Sequence, residues 1–237
     1  MESRMSRRSF WERDVFRGIA IACVLFILLT VIAMLLFPGG SVSDPKAQHY
    51  AFFMNFFSDL GATHTISGAS NLPSMILFII GMTIVAIALV VFFIAFTRFF
   101  TTSTTTRWLG RFAVAFGIIA SISFVGIAAT PWNLYLDTHN MFVQWAFRAF
   151  LAAVVLCLIA VLITRGFPRR FAWVFVAFAV LLTAYIFLIT FGPAPNTLAG
   201  SVIQATGQKI IVYGAILTVL IQSLNARTLL PGTQRRR

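Results

Sequence analysis

A chain of 237 residues with 59% hydrophobic side chains and a mean hydropathy of +0.93 lies far outside the range of an ordinary soluble domain. The formal net charge of +12 does not point to nucleic acid. Its arginines stand within a few residues of the ends of long apolar runs, where they meet anionic headgroups and set orientation. These features indicate an integral membrane protein whose first partners are membrane lipids, with no nucleic acid among them.

Six apolar runs follow one another at 16–37, 72–96, 109–130, 141–163, 171–191 and 202–224. Each has at least about 20 residues, the length that crosses a hydrocarbon layer of roughly 30 Å at 1.5 Å per helical residue. No ten-residue alternating pattern is present, so the expected class is all-α, a six-helix transmembrane bundle forming one membrane domain over 1–237, and not a barrel. The first run exceeds the 7–15 residues of a signal-peptide core and ends without a small-x-small cleavage pattern, so it reads as a retained anchor. Cys23 and Cys157 fall inside the first and fourth runs, where a disulfide is not expected.

The basic residues alternate in side. Arg4, Arg7, Arg8, Arg13 and Arg17 stand before or at the start of the first span, Arg98 and Arg107 follow the second, and Arg165, Arg169 and Arg170 follow the fourth. Arg227 and Arg235 to Arg237 close the chain. The first connection holds only Lys46, and the third and fifth hold no Lys or Arg. The positive-inside rule then places both termini in the cytoplasm of a multi-pass protein of the cell membrane. On the third span Ala113, Gly117 and Ser121 recur every four residues, a spacing that allows close approach and predicts a central position for that helix.

The first connection runs from Pro38 to Asn71 and is much longer than the others. Wound at 100° per residue, Phe52, Phe53, Phe56, Phe57 and Leu60 fall within about 140°, which predicts an amphipathic helix on the outer surface of the bilayer. Asp59 sits at the edge of that arc and is expected to face a partner. Polar chemistry gathers on the same side. His49, His64 and His139 are all there, with Asp44, Asp59 and Asp137. Two cations enter the spans, Arg148 and Lys209, each seven residues past the start of its run and therefore about 10 Å deep. A charge in hydrocarbon costs several kcal/mol unless it pairs, snorkels or meets water.

On the fourth span Asp137, Asn140, Gln144 and Arg148 form one stripe, and on the sixth Gln204 and Gln208 share a face beside Lys209. A shared interior pocket for a lipid headgroup or similar amphiphile is one expectation, with Asp59, Asn71, Asp137, His139, Asn140, Gln144, Arg148, Gln208 and Lys209 as its polar lining. The bland alternative is internal bracing of the two cations by Asp59 and Asp137. A membrane-embedded, metal-dependent lipid hydrolase would use Asp59, His64, Asp137 and His139, whose ligand atoms suit Zn. Their spacings match no zinc signature, and no nucleophile elbow or phosphate loop is present, so the pattern leans away from an enzyme. A small-solute transporter would more often show broken spans and inverted repeats.

Phe57-Ser58-Asp59-Leu60-Gly61 followed by Asn71 and a long apolar span resembles the opening of an uncharacterised prokaryotic six-span family, domain of unknown function 998. Asp137-Thr138-His139-Asn140 is similar to that family's His-Asn element, and Gly207-Gln208-Lys209 to its Gly-x-x-Gln-Arg/Lys region with a shorter spacing. A more distant likeness is to the DRAM/Frag/Sfk membrane proteins. The resemblance implies the six-span fold, the positions Asp59, Asn71, His139, Asn140, Gln208 and Lys209, and an association with membrane-lipid biology. It implies no reaction.

Overall fold

The computed structural model describes the backbone of residues 2–230 and the side chains from Asp14 to Leu230. The side chains of Arg4, Arg7, Arg8 and Arg13, and Arg235 to Arg237, lie outside the described residues. Six long helices account for the fold: α1 Glu2–Leu36, α2 Leu72–Thr97, α3 Thr104–Ala129, α4 Trp132–Ile163, α5 Arg169–Phe191 and α6 Leu198–Arg227. All six are long and apolar enough to cross a membrane. No strand occurs among the described residues, only an isolated bridge between His64 and Ser70.

The helices pack in chain order, α1 on α2, α2 on α3, α3 on α4, α4 on α5 and α5 on α6, and α6 returns to α1. The bundle is therefore a closed ring, as short connections between antiparallel neighbours favour. Its two ends differ. One carries Arg98, Arg107, Arg165, Arg169, Arg170 and Arg227 at helix termini and turns; this is the arginine end. The other carries the long first connection, the α3–α4 turn and the α5–α6 loop.

Phenylalanine fills the ring. Toward the arginine end Phe96, fully buried, is surrounded by Phe92, Phe99, Phe100, Phe167, Phe171 and Phe175, with centroids 5.3 to 6.3 Å away. Such edge, tilted and stacked contacts add to the area that the rings bury. The small-residue stripe of α3 is buried as expected, but α3 is one member of the ring and not its centre. A side chain at Gly117 would overlap the ring of Phe93 on α2, and one at Gly126 the ring of Phe142 on α4. The missing side chains make room for aromatic rings on two neighbours.

The first connection does not form an amphipathic surface helix. Residues 52–54 make a turn, and the only helix is a single 3-10 turn, Phe57–Gly61. The cause lies in two side chains that compete with the helical backbone. Asn55 Oδ1 accepts from the Ala51 amide at 2.9 Å, and Asp59 Oδ2 accepts from the Phe56 amide at 2.9 Å. The aromatic arc is split in consequence. Phe57 and Leu60 point into the bundle, 3% and 0% exposed, whereas Phe52 and Phe53 stay at the surface. The 3-10 turn touches α1, α2, α3, α4 and α6. It is a plug seated in the mouth of the ring.

Candidate functional site

The plug is anchored by side chains whose hydrogen bonds almost all go to backbone. Gly39 and Gly40 bring the chain out of α1 with positive φ, 99° and 87°, a region open to glycine at no steric cost. The Gly40 carbonyl then accepts from Asn55 Nδ2 at 2.9 Å, and the same amide donates to Asp59 Oδ2 at 3.0 Å. Asn55 is fully buried and uses both ends of its side chain. Tyr50 Oη donates to the Phe56 carbonyl at 3.0 Å.

From the other side, Asn71 at the start of α2 donates to the carbonyls of Asp59, Leu60 and Ala62 at 3.2, 3.1 and 2.9 Å. An amide nitrogen facing three carbonyls is the only orientation these acceptors allow. Ser74, one turn along α2, donates to Leu60 as well. Asn133 and Thr63 exchange two bonds, 3.1 and 2.8 Å, tying the plug to α4. Gly61 lies so close to Phe78 that a Cβ there would stand 2.6 Å from the ring.

α6 supplies the remaining two anchors. Gln208 Oε1 accepts from the Phe57 amide at 2.7 Å. Lys209, 2% exposed, donates to the Asn55 carbonyl across the interface and to Ala205 on its own helix at 3.1 Å. Its ammonium also lies 5.4 Å from the Tyr50 ring and 5.1 Å from the Phe52 ring, within cation–π range. Lys209 therefore does not bond the Asp59 carboxylate directly. Asn55 stands between them, its carbonyl toward the ammonium and its amide toward the carboxylate.

Asp59 is held where burial opposes its charge, which pushes its pKa up to about 6. Asn55, the Phe56 amide, the positive Lys209 and the Trp132 indole pull the other way but do not cancel the burial. The buried Trp132 Nε1 acts on the Asp59 carboxylate from beyond hydrogen-bond distance and has no closer partner. Tyr50 is raised well above the ordinary phenol range, first by burial and then by the nearby Asp59 charge.

Of the residues singled out from the sequence, the structure gathers Asp59, Asn71, Gln208 and Lys209 into this plug. His139 is buried elsewhere. Its Nδ1 faces the Thr130 carbonyl at 2.7 Å and closes the α3–α4 turn. Asp137 and Asn140 are exposed at the start of α4, and His64 is exposed beside Thr63. Arg148 is exposed too. It bonds Gln144 one turn away and Thr190 of α5 at 3.4 Å. Arg148 and Lys209 thus do not share a pocket: α5 stands between α4 and α6 in the ring, and the α4 stripe faces outward. Nor do Asp59, His64, Asp137 and His139 converge, for no group of three metal-ligating side chains exists among the described residues.

Beneath the plug lies a cavity of about 60 Å³ lined by α1, α2, α3, α4 and α6. Its wall is apolar, formed by residues such as Phe26, Met82, Phe124, Phe147 and Val212. Only Ser58 and Gln208, both at the roof, bring polar atoms to it. A buried water occupies at least about 10–15 Å³ of such space and needs two or more polar partners. The volume suits a few methylene-sized groups, and the wall offers water almost nothing. Asn55, Tyr50, Ser58 and Asn133 carry the site alongside the residues read from sequence. The one sequence signal for Asn55 is its place four residues before Asp59.

Comparison with family models, with curated proteins and with solved structures returns no match.

Proposed function

We propose that this six-span membrane protein binds an amphiphile by its apolar end, in the cavity beneath the plug, with Ser58 and Gln208 meeting the first polar group. The apolar cavity roofed by two polar side chains is the observation that carries this reading. The donors of Asn71, Asn55 and Lys209 are spent within the plug and its border with α6, whereas Gln208 uses its Oε1 on the Phe57 amide and lines the cavity. Recognition falls to shape and apolar contact, the usual basis of small-ligand sites. The ligand class is a short alkyl alcohol or the terminal segment of a lipid chain. Hydrolysis has no comparable support, since its four expected residues stand apart. Of the residues that carry the family resemblance, Ser58 lines the cavity and Asp59, Leu60 and Asn71 hold the turn that carries it, so that family is proposed to share this plug.

The test is photolabelling of the purified protein with a diazirine-bearing 1-hexanol. Labelling is expected at Val143, Val212 and Ile216, and is expected to be lost in Ala215→Phe, which fills the cavity from α6. Labels confined to the outward residues Ile210 and Leu217 in both proteins would refute the site.

The charge asymmetry supports a cell-membrane orientation with the arginine end and both termini in the cytoplasm. A cysteine at His49 should react with an impermeant thiol reagent on intact cells, and one at Ser103 should not; native Cys23 and Cys157 are buried. The reverse pattern would invert the topology.

A further inference from the structure

Arg148 remains unexplained by the plug. It stands exposed on α4, at the inner end of the outward polar stripe, with exposed Trp145 beside it and exposed Phe187 and Phe191 on α5. Its two side-chain partners, Gln144 and Thr190, are neutral. They also fix where the guanidinium sits. Gln144 is one helical turn toward the plug end, and Thr190 is the last residue but one of α5. The side chain therefore reaches from within the span toward the interface on the plug side, as long cationic side chains do at membrane boundaries.

The counter-charge must come from outside the chain. Its six acids are Glu2, Glu12, Asp14, Asp44, Asp59 and Asp137. Glu2, Glu12 and Asp14 lie in the first part of α1, at the arginine end. Asp59 is buried in the plug, and Asp44 and Asp137 lie in or next to the connections on the plug side. Among the described residues no carboxylate lies on a lipid-facing surface at the level of Arg148. A second copy packed there would bring no anion.

We propose that Arg148, Gln144 and Thr190 form a surface site for the phosphate of a phospholipid in the plug-side leaflet, seated in the groove between α4 and α5. A guanidinium already oriented by two neutral partners keeps donors free in a fixed fork, the geometry that suits phosphate oxygens. Trp145, Phe187 and Phe191 offer the acyl chains an aromatic surface. Phe187 and Phe191 contact each other at 4.9 Å. This site is separate from the cavity beneath the plug, whose α4 wall is Val143, Phe147 and Phe150.

The experiment uses the full chain in mixed micelles with a phosphatidylglycerol carrying a diazirine near its glycerol. Crosslinks are expected on residues 141–148 and 187–191. They should fall about tenfold in Arg148→Gln, as loss of a hydrogen bond to a charged group predicts, and be largely kept in Arg148→Lys. A glycosyl diacylglycerol with the same diazirine and no phosphate should label those segments about as weakly as phosphatidylglycerol labels the Arg148→Gln protein. Equal crosslinking of wild type and Arg148→Gln would overturn the site. So would equal labelling by the phosphate-free lipid, or suppression by millimolar inorganic phosphate, which would mean a free-anion site. Loss of a dimer in Arg148→Gln without loss of crosslinks would assign the groove to a second copy and also overturn it. Because Arg148 is exposed, the variant is expected to fold; an unchanged crosslink pattern at Val212 from the alcohol probe checks this and keeps the two sites distinguishable.

Discussion

Lys209 and Arg148 enter apolar runs at the same sequence depth and carry the same charge, yet the fold treats them oppositely. Lys209 is 2% exposed, wrapped by two carbonyls and two aromatic rings. Arg148 stands on the surface with only neutral partners. The difference comes from what faces each helix. α6 borders the mouth of the ring, where the first connection folds in and offers the Asn55 carbonyl, which no helix uses. α4 presents Arg148 to the α5 groove, where helix backbones are already satisfied. In an apolar medium a cation is stabilised by backbone that is not in a helix. The irregular plug is what makes a buried lysine tolerable.

The largest effect should therefore come from Lys209→Met. It removes the donor to Asn55 and leaves Asp59 without a nearby positive charge. Breaking a buried charge arrangement by deleting one member typically costs about 3–5 kcal/mol. Thermal unfolding in detergent at pH 7 reads it. A melting temperature equal to wild type would mean that the plug does not depend on the lysine, and the contrast with Arg148 would lose its basis.

Next in size is the pH dependence set by Asp59. Burial raises its folded pKa to about 6 from an ordinary 3.8. Between these values the folded protein retains a proton that the unfolded chain has released. Stability is then fully present below about pH 4 and falls as pH rises toward 6, by at most about 3 kcal/mol. Asp59→Asn should flatten this window, because a neutral amide oxygen still accepts from Asn55 and Phe56. In Lys209→Met the window should move to higher pH, since the lysine's charge pulls the Asp59 pKa down. A wild-type stability that rises from pH 4 to 6 would mean that Asp59 is held as a stabilised carboxylate.

Sequence made the spans legible because six helices of apolar residues leave little ambiguity in period or length. α4 nonetheless begins at Trp132, with a kink at Tyr135 (φ −136°, ψ 53°), and not near Met141; its first turns carry Asn133, Asp137 and Asn140, which an apolar run leaves out. The plug was legible in its members but not in its shape. Asp59, Asn71, Gln208 and Lys209 stood out as polar residues near apolar boundaries. Asn55 and Tyr50 did not, because a periodicity argument reads 52–60 as one helix and cannot weigh side chains that capture the backbone. The α4 stripe failed as an inward face for another reason. Helical spacing shows that Asp137, Asn140, Gln144 and Arg148 share a side, but not which side meets the core.

A smaller loss is expected at the plug's edge on α4. Asn133→Ala removes both bonds to Thr63, each worth about 0.5–1.5 kcal/mol net, and leaves Lys209 untouched. Melting should drop by less than in Lys209→Met and show an unchanged pH window. A loss matching Lys209→Met would make α4, and not α6, the plug's main anchor.

The smallest effect belongs to Arg148→Gln in detergent without phospholipid. The guanidinium's bonds to Gln144 and Thr190 lie at the surface, where detergent and water replace them, and substitutions at such positions usually stay within about 0.5 kcal/mol. The shorter amide removes a charge without opening a cavity, since no core ring rests on Arg148. Its melting curve should overlay wild type from pH 4 to 8, while Lys209→Met departs across the same range. If Arg148→Gln instead melts as early as Lys209→Met, its contacts to α5 brace the ring. The two cations would then differ in exposure but not in structural role.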